Sequence, residues 1–280
     1  MFKRADAAFF SLPGLMPLLI LLLAFALVAY KAVKSRHLTV SGAAAAVIVG
    51  TVSTYFTGFG GLFLLFAFYL SSNLIGKLRM NIQKQKGTFI EKKGSCRDWV
   101  QVLANSAAAV AAAVLWRIKP DGAALVMLGA AMAEAASDTW AGEIGRLSRK
   151  APVSLKTGKP VEPGVSGGVT ALGFLAGFGA SLFMAILWIL CFPCERPGLN
   201  VLLVCAAGFA GCVADSVLGA CWQALYKDEE KGVLSEHPVS PDGRKLKLIQ
   251  GAAWLDNDAV NVISNVLSAI LAFGIYRLLF

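Results

Sequence analysis

Long runs without charged residues dominate the sequence. No Lys, Arg, Asp or Glu occurs from Ala7 to Tyr30, and none occurs from His37 to Gly76. A helix crosses the hydrocarbon core of a bilayer with roughly 17–25 apolar residues, and comparable runs recur along the chain. With 57% hydrophobic and 15% charged residues and a mean hydropathy of +0.66, the chain lies outside the range of soluble globular domains. We therefore predict an all-α, polytopic integral membrane protein that forms one domain over residues 1–280.

The apolar runs predict about eight transmembrane helices. The first run is long for a cleaved signal sequence and lacks a small-residue cleavage site, so it is expected to remain as helix one. The second run is long enough for two helices, and glycines in its middle favour a tight turn that makes them a hairpin. The predicted helices are Ala7–Tyr30, two segments on either side of Tyr55–Gly61, Trp99–Trp116, Ala123–Gly142, Gly167–Leu190, Leu199–Leu218 and Asp256–Phe280.

Basic residues gather on one side of the predicted bundle. Most of the 26 Lys and Arg residues fall in four connections, and the cytoplasmic loops of membrane proteins collect these residues. Loops that face anionic membrane lipids also explain the net charge of +9 without a nucleic-acid partner. With both termini outside, the predicted cytoplasmic loops are about 31–39, 77–98, 143–166 and 223–255.

Acidic and amide side chains of the predicted spans gather near their cytoplasmic ends. Ionisable groups within a membrane span are costly, and by default they mark function. Carboxylates and a few amides are the ligands that Mg²⁺ takes, usually alongside substrate phosphates. We therefore predict an Mg²⁺ (or Mn²⁺) site on this side, on the cytoplasmic face. Its candidate ligands are Asp138, Glu143, Asp215, Asp256 and Asp258, and the amides expected to orient phosphates or metal-bound water are Asn105, Asn257 and Asn261.

Helix capping is an open alternative for two of these acids. Asp256 and Asp258 begin the last predicted helix, where a carboxylate accepts backbone N–H bonds. Capping explains Asp138 and Asp215 poorly, because both are expected at C-terminal helix ends where the dipole disfavours anions. These two acids also share a short Asp-(Ser/Thr)-x-x-Gly pattern, which indicates two similar half-sites.

The connection between helices five and six is rich in glycine and cations. Gly164, Ser166, Gly167 and Gly168 precede helix six, whose free N–H groups and positive dipole end suit a phosphate. No Walker pattern is present, and glycines that only permit a turn and close helix packing are the alternative. The candidate phosphate-binding residues are Thr139, Arg146, Lys156, Lys159, Ser166, Gly167 and Gly168, together with Asn257 and Asn261.

Histidine and cysteine add little to the predicted chemistry. His37 and His237 are the only histidines, and neither belongs to a span or a motif, which argues against a Ser-His-Asp hydrolase and a His-ligated zinc protease. Cys191 and Cys194 form a Cys-x-x-Cys pair with no βαβ pattern around it, so a redox or disulfide role stays open.

Several of these segments together resemble a known polytopic membrane family. It contains plant phytyl-phosphate kinase and animal transmembrane protein nineteen. The resemblance runs in order along the chain, and departs from the family pattern at Ser106 and Gly142. The matching segments are Gln101–Asn105, Asp138–Gly145, the glycines at 167 and 168, Asp215–Ala220 and Asp256–Asn261.

A more distant resemblance concerns the stretch from Asp138 to Gly168. It is similar to the CTP-binding segment of dolichol and phytol kinases and of phosphatidate cytidylyltransferases. Both resemblances imply transfer of the γ-phosphate of CTP or another nucleoside triphosphate to an isoprenoid monophosphate. The residues assigned to catalysis under this implication are Asp138, Asp215, Asp258 and Asn105.

Three alternatives to this kinase remain open at the level of sequence. A CTP:lipid-phosphate cytidylyltransferase could use the same residues. An isoprenoid-alcohol kinase would need a base such as Glu134 or Asp138 for the hydroxyl group. A lipid or ion transporter could use buried acids as a relay. A homodimer is also left open.

Overall fold

Small residues allow one central helix to be surrounded by others. The computed structural model describes residues 2–82 and 96–280; the predicted loop cations Lys84, Lys86, Lys92 and Lys93 lie outside these ranges. The Ala-rich helix α6 contacts α3, α5, α7, α8 and α9. The described helices are α1 Lys3–Phe10, α2 Met16–Lys34, α3 Val40–Ile82, α4 Trp99–Ala104, α5 Ala107–Ile118, α6 Gly122–Gly145, α7 Ala171–Cys191, α8 Pro197–Cys221 and α9 Asn257–Leu279.

Close approach to α6 depends on side chains of minimal size. Gly129 lies against Trp188 of α7, and a Cβ at Gly129 would come within 2.7 Å of the indole. The same indole donates a hydrogen bond from Nε1 to the Leu125 carbonyl oxygen, 2.7 Å away. Small residues at helix contacts are the usual means of packing helices in a bilayer.

Within the described ranges, five helices are long and apolar enough to cross a membrane: α2, α3, α7, α8 and α9. The prediction of an all-α, multi-pass membrane protein is confirmed. The predicted count of eight transmembrane helices is not confirmed. Short strands are present as well, which the sequence pattern did not indicate.

Helix α3 contains the predicted break. Gly58 has φ 69° and ψ −165°, outside the helical region. Gly42, near the start of α3, contacts Arg97, and Gly76, near the end of α3, contacts Glu143. Both contacts lie toward the same end of the bundle, whereas Gly60, just after the break, contacts Phe192. The two halves, 40–57 and 59–82, therefore run in opposite directions, as the hairpin prediction requires.

The predicted boundaries of the first helix are wrong. The chain forms the short α1, turns at residues 11–15, and then forms α2. Pro13 and Gly14 explain the turn, since Gly14 takes φ 58° and proline cannot continue the hydrogen bonds of the preceding turn. In α1, Asp6 accepts a hydrogen bond from the Phe59 backbone N–H at 2.8 Å, so it caps the second half of α3.

The predicted helix Trp99–Trp116 is also interrupted, at Asn105 and Ser106. The Asn105 amide donates to the Gln101 carbonyl oxygen at 2.9 Å, and the Ser106 hydroxyl donates to that of Val102 at 2.7 Å. Such local side-chain bonds compete with the helical ladder. The result is the separate helices α4 and α5.

The ends of three further helices differ from the prediction. Helices α6 and α8 continue to Gly145 and Cys221, so Asp138 and Asp215 lie within them rather than at their C-terminal ends. Helix α7 begins after the N-cap Thr170.

Two of the predicted polar loops contain short strands. A two-stranded sheet pairs β1 with β2, and a three-stranded antiparallel sheet has the order β4-β3-β5. The strands are β1 Val153–Ser154, β2 Gly168–Val169, β3 Leu225–Asp228, β4 Val233–Ser235 and β5 Lys247–Gln250.

The hairpin turn in α3 gives a test of the fold. The substitution Gly58→Ala should lower stability by about 1–3 kcal/mol, because this backbone region is nearly restricted to glycine and the new Cβ would lie 2.6 Å from Asp6 Oδ1. Thermal unfolding in detergent measures the change. Gly179→Ala is the matched control, since its Cβ would meet nothing within 4 Å; equal effects of the two substitutions would contradict the turn.

Candidate active site

A cavity of about 610 Å³ lies at the end of the bundle where α6 and α8 finish and α9 begins. Residues from the second half of α3, the start of α4 and the connection before α7 complete its walls. Among the described residues, its lining contains five acids and six Lys or Arg residues. These are Asp138, Glu143, Asp215, Glu236 and Asp258, with Arg36, Lys77, Arg79, Arg97, Arg146 and Lys150.

Three helices bring the predicted carboxylates together. Asp138 of α6, Asp215 of α8 and Asp258 of α9 all line this cavity, and Asn257 lines it beside Asp258. The Asp138 and Asp215 carboxylates are near enough to repel each other. Two like charges on one wall favour a cation between or beside them. These residues therefore line one cavity, as the sequence predicts.

Glu134 on α6 links the helices that form this wall. It is only 2% exposed, and it accepts hydrogen bonds from the Ser264 hydroxyl at 2.8 Å and the Asn265 amide at 2.5 Å. The same hydroxyl lies 3.3 Å from Asp215 Oδ2. Asn261, with its amide nitrogen turned toward the carboxylate, donates to Asp215 Oδ2 at 3.0 Å. The orientation of Asp215 is thus tied to both α6 and α9.

Arginines line the same cavity. Arg79 Nε lies 2.5 Å from Glu143 Oε2, and Arg97 interacts electrostatically with Glu143 and Asp138. Burial lowers the pKa of the Arg97 guanidinium. The pKa of Arg146 is also lowered, mainly by burial and to a lesser extent by the positive charge of Arg79. Desolvated guanidiniums that face one cavity are well suited to phosphate oxygens, which they bind with two parallel hydrogen bonds.

The glycine segment is placed differently from the expectation. Gly168 belongs to β2, and Thr170, whose hydroxyl accepts the Gly173 N–H at 3.0 Å, is the N-cap of α7. Gly167 has φ 74° and packs on Ala220, where a Cβ would come within 2.3 Å. The glycines therefore line the cavity as a turn packed on α8. They precede α7, as predicted, but the helix begins at Ala171 instead of near Gly167.

Ser166 joins this turn to the segment that follows β4. Its hydroxyl donates to Glu236 Oε1, and the Gln223 amide donates to both Ser166 Oγ and Glu236 Oε1, at 2.8 and 2.9 Å. Ser166 and Glu236 of this network line the cavity. Glu236 also interacts electrostatically with Asp215 and Arg146.

Several predicted site residues lie outside the polar cavity. Asp256 caps α9 by accepting the Ala259 N–H at 3.0 Å, and the Thr139 hydroxyl donates to the Ala135 carbonyl oxygen. Lys156 and Lys159 are exposed on the loop between β1 and β2. Asn105 lines a separate, apolar cavity. The capping alternative therefore describes Asp256, whereas Asp258 lines the cavity.

Sequence reasoning missed Arg79, Arg97 and Glu236 as lining residues. Arg79 and Arg97 were counted only as loop cations. Asp98 and Gln101 form a capping box at the start of α4, and this Asp-x-x-Gln pattern could have placed Arg97 at the level of the carboxylates. Glu236 lies in a polar loop, and no pattern in the sequence singles it out.

The carboxylates of the cavity suit a metal ion that is also held by water and substrate. Within residues 2–82 and 96–280, no three or more His, Cys, Asp or Glu side chains form a ready-made cluster of ligands. Mg²⁺ is usually held by one or two carboxylates together with waters and substrate phosphates. Asp138 and Asp215, with Asp258 and Asn257 on the same cavity, fit that mode and not an all-protein cage.

The chain has close relatives among known proteins. Protein PGR of Arabidopsis thaliana is 32% identical over 270 residues, which cover 88% of this chain and 91% of that protein. Uncharacterized membrane protein MJ0933 of Methanocaldococcus jannaschii is 33% identical over 207 residues, 74% of this chain and 81% of that protein. Protein VTE6, chloroplastic, of Arabidopsis thaliana is 31% identical over 241 residues, 84% of this chain and 64% of that protein. No solved structure matches.

The family match covers residues 23–269, and this range holds all the cavity-lining acids named above. It agrees with the motif resemblance in the sequence. The chain therefore belongs to the family described as Integral membrane protein DUF92.

Proposed function

We propose that the protein is a prenyl-phosphate kinase, which transfers the γ-phosphate of CTP or another nucleoside triphosphate to an isoprenoid monophosphate. The observation that carries this proposal is that Asp138, Asp215 and Asp258 line one cavity together with Arg79, Arg97 and Arg146. Carboxylates for a metal and guanidiniums for phosphate oxygens are what phosphoryl transfer requires of a protein. Motif resemblance to the family of plant phytyl-phosphate kinase supports the choice of acceptor.

In the proposed reaction, an oxygen of the acceptor phosphate attacks the γ-phosphorus, and the bond from that phosphorus to the nucleoside diphosphate breaks. Asp138 and Asp215 would hold Mg²⁺, which neutralises charge on the donor phosphates when bound. Arg146 and Arg79 would bind the triphosphate. The Ser166–Gly168 turn, held by Glu236 and Gln223, would pack against it at the cavity mouth.

An ionised phosphate acceptor needs no strong general base, and the surroundings of Glu134 support such an acceptor. Glu134 and Asp138 are the carboxylates that an alcohol acceptor could use as a base, but Glu134 is almost fully buried and accepts hydrogen bonds from Ser264 and Asn265. A base must come within hydrogen-bond reach of the proton that it removes. Glu134 does not line the cavity, and Asp138, which does, is assigned to the metal ion, so a monophosphate is the better substrate under this proposal.

The cavity lies at the end of the bundle that carries the basic connections, which supports a cytoplasmic active site. A nucleoside triphosphate would then enter from the cytoplasm. The acceptor lipid would present its phosphate at the same boundary.

One reaction tests the proposal. Detergent-purified protein is incubated with Mg²⁺, single nucleoside triphosphates and a panel of prenyl monophosphates, and products are identified by mass spectrometry. A prenyl diphosphate and a nucleoside diphosphate are expected. A CDP-lipid with pyrophosphate would establish the cytidylyltransferase instead, and tracer flux in vesicles without any nucleotide turnover would establish a transporter.

Removing either central carboxylate should abolish most of the turnover. Asp138→Asn and Asp215→Asn are each expected to reduce turnover at least about 100-fold, since even the partners that orient metal ligands contribute about 10- to 100-fold. Initial rates with saturating substrates measure the loss. Asp121→Asn, at the opposite end of α6, is the matched control, because asparagine also caps helices; its rate should stay near that of the wild type. Full turnover in both site variants would refute the assignment.

Metal removal should have the same effect without changing the chain. Treatment with a chelator is expected to stop turnover, and Mg²⁺ or Mn²⁺ should restore it, because two carboxylates and phosphates suit these ions. The midpoint of thermal unfolding should change little on chelation, since the helices pack without the metal. Turnover that persists in excess chelator would contradict a metal-dependent reaction.

A further inference from the structure

A second cavity, of about 140 Å³, lies beside the polar one and has a mostly apolar lining. Helix α2, both halves of α3 and helix α4 contribute to it. The lining residues follow helical spacing, so each helix presents one face to the cavity. Those on α2 are Phe25, Val28, Ala29 and Ala32, and those on the first half of α3 are Ala46, Val49 and Gly50.

Small side chains create this space. Ala29 and Ala32 on α2 face Ala46 and Gly50 on α3, where larger residues would fill the gap. A Cβ at Gly50 would already come within 2.3 Å of the Phe25 ring. The interruption between α4 and α5 at Asn105 adds further room on the other side.

The two cavities are neighbours that share wall residues. Arg97 and Gln101 from the start of α4, with His37 and Asn73, line both of them. Arg97 lies with its guanidinium carbon 6.0 Å from the centre of the Phe68 ring, on the apolar side, and interacts with Asp138 and Glu143 on the polar side. A cation thus marks the boundary between an apolar and a polar compartment.

The apolar cavity also reaches the outer surface of the helices. Val28 on α2 and Phe66 on α3 line it, and they are 38% and 36% exposed. Both lie on segments apolar enough to cross a membrane, so their exposed parts face lipid. The lining of the apolar cavity therefore includes lipid-facing side chains on α2 and on the second half of α3.

We propose that this cavity binds the part of an isoprenoid chain next to its phosphate, with Arg97 holding the phosphate at the boundary. The remainder of the chain leaves between Val28 and Phe66 into the bilayer. The lipid monophosphate is the occupant because the shared wall offers one cation to an anionic head group and apolar rings to a chain. This inference rests on the proposed function for the identity of the lipid as phosphoryl acceptor.

Photolabelling tests the location directly on the wild-type protein. A geranylgeranyl monophosphate with a diazirine in its first isoprene unit is irradiated with the protein in detergent, and labelled peptides are mapped by mass spectrometry. Labels are expected on the cavity-lining faces of α2, both halves of α3 and α4, and excess unlabelled prenyl monophosphate should remove them. Labels elsewhere, or labels that only a phospholipid removes, would overturn the inference. Labelling at the cavity in a protein without kinase turnover would refute the proposed function alone.

Filling the cavity tests its role in acceptor binding. Ala46→Phe should raise the KM for prenyl monophosphate at least about tenfold, because a single methylene in such a pocket is worth about 10- to 200-fold. The KM for the nucleotide should not change. Ile48→Phe, on the same helix at a position that is 62% exposed, is the matched control and should leave both constants unchanged.

The stability of the filled variant separates binding from folding. Unfolding midpoints of Ala46→Phe and Ile48→Phe are compared first in detergent. If Ala46→Phe folds and its KM for the prenyl monophosphate equals that of the control, the inference is wrong. If it does not fold, the photolabelling pattern of the wild-type protein decides.

Discussion

The hydrogen bonds that Glu134 accepts from Ser264 and Asn265 hold the carboxylate wall together. A carboxylate deep in a helix bundle has no water to solvate it, so its partners must come from neighbouring helices. Ser264 and Asn265 belong to α9, and Ser264 also lies within reach of Asp215 on α8. One buried acid thereby fixes the relative positions of the three helices that carry Asp138, Asp215 and Asp258.

This arrangement requires very close packing. A Cβ at Gly211 on α8 would lie 2.6 Å from Glu134 Cγ and 2.8 Å from Ser268 Cβ, and a Cβ at Gly208 would lie 2.6 Å from Ala133 Cβ. Ser268 donates to the carbonyl oxygens of Ala130 and Ala207, which adds cross-links between α9 and its two neighbours. Small residues and short hydroxyl side chains therefore bring α6, α8 and α9 near enough for their acids to share a cavity.

The sequence predicted what depends on local composition. The multi-pass helical class, the turn near Gly58 and the shared cavity of Asp138, Asp215 and Asp258 all follow from hydropathy, glycine and the side of the membrane on which polar residues fall. The helix break at Asn105 depends on whether side chains bond the backbone, which composition does not show. Lining by Glu236 depends on contacts between segments far apart in the chain, and no local pattern encodes it, whereas Arg97 directly precedes the capping box that begins α4.

Arg97 connects the chemistry of the site to the membrane. A reaction between a nucleotide and a lipid has one substrate that dissolves in water and one that dissolves in hydrocarbon, so the reacting phosphates can meet only where a polar and an apolar compartment adjoin. Arg97 lines both cavities and lies close to a ring on one side and to acids on the other. Its backbone pairs with His37 and Thr39, which ties the start of α4 to the connection between α2 and α3. The cation at the boundary is therefore held by the same segments whose helices enclose the apolar cavity, so the proposed position of the acceptor phosphate follows from how α2, α3 and α4 pack.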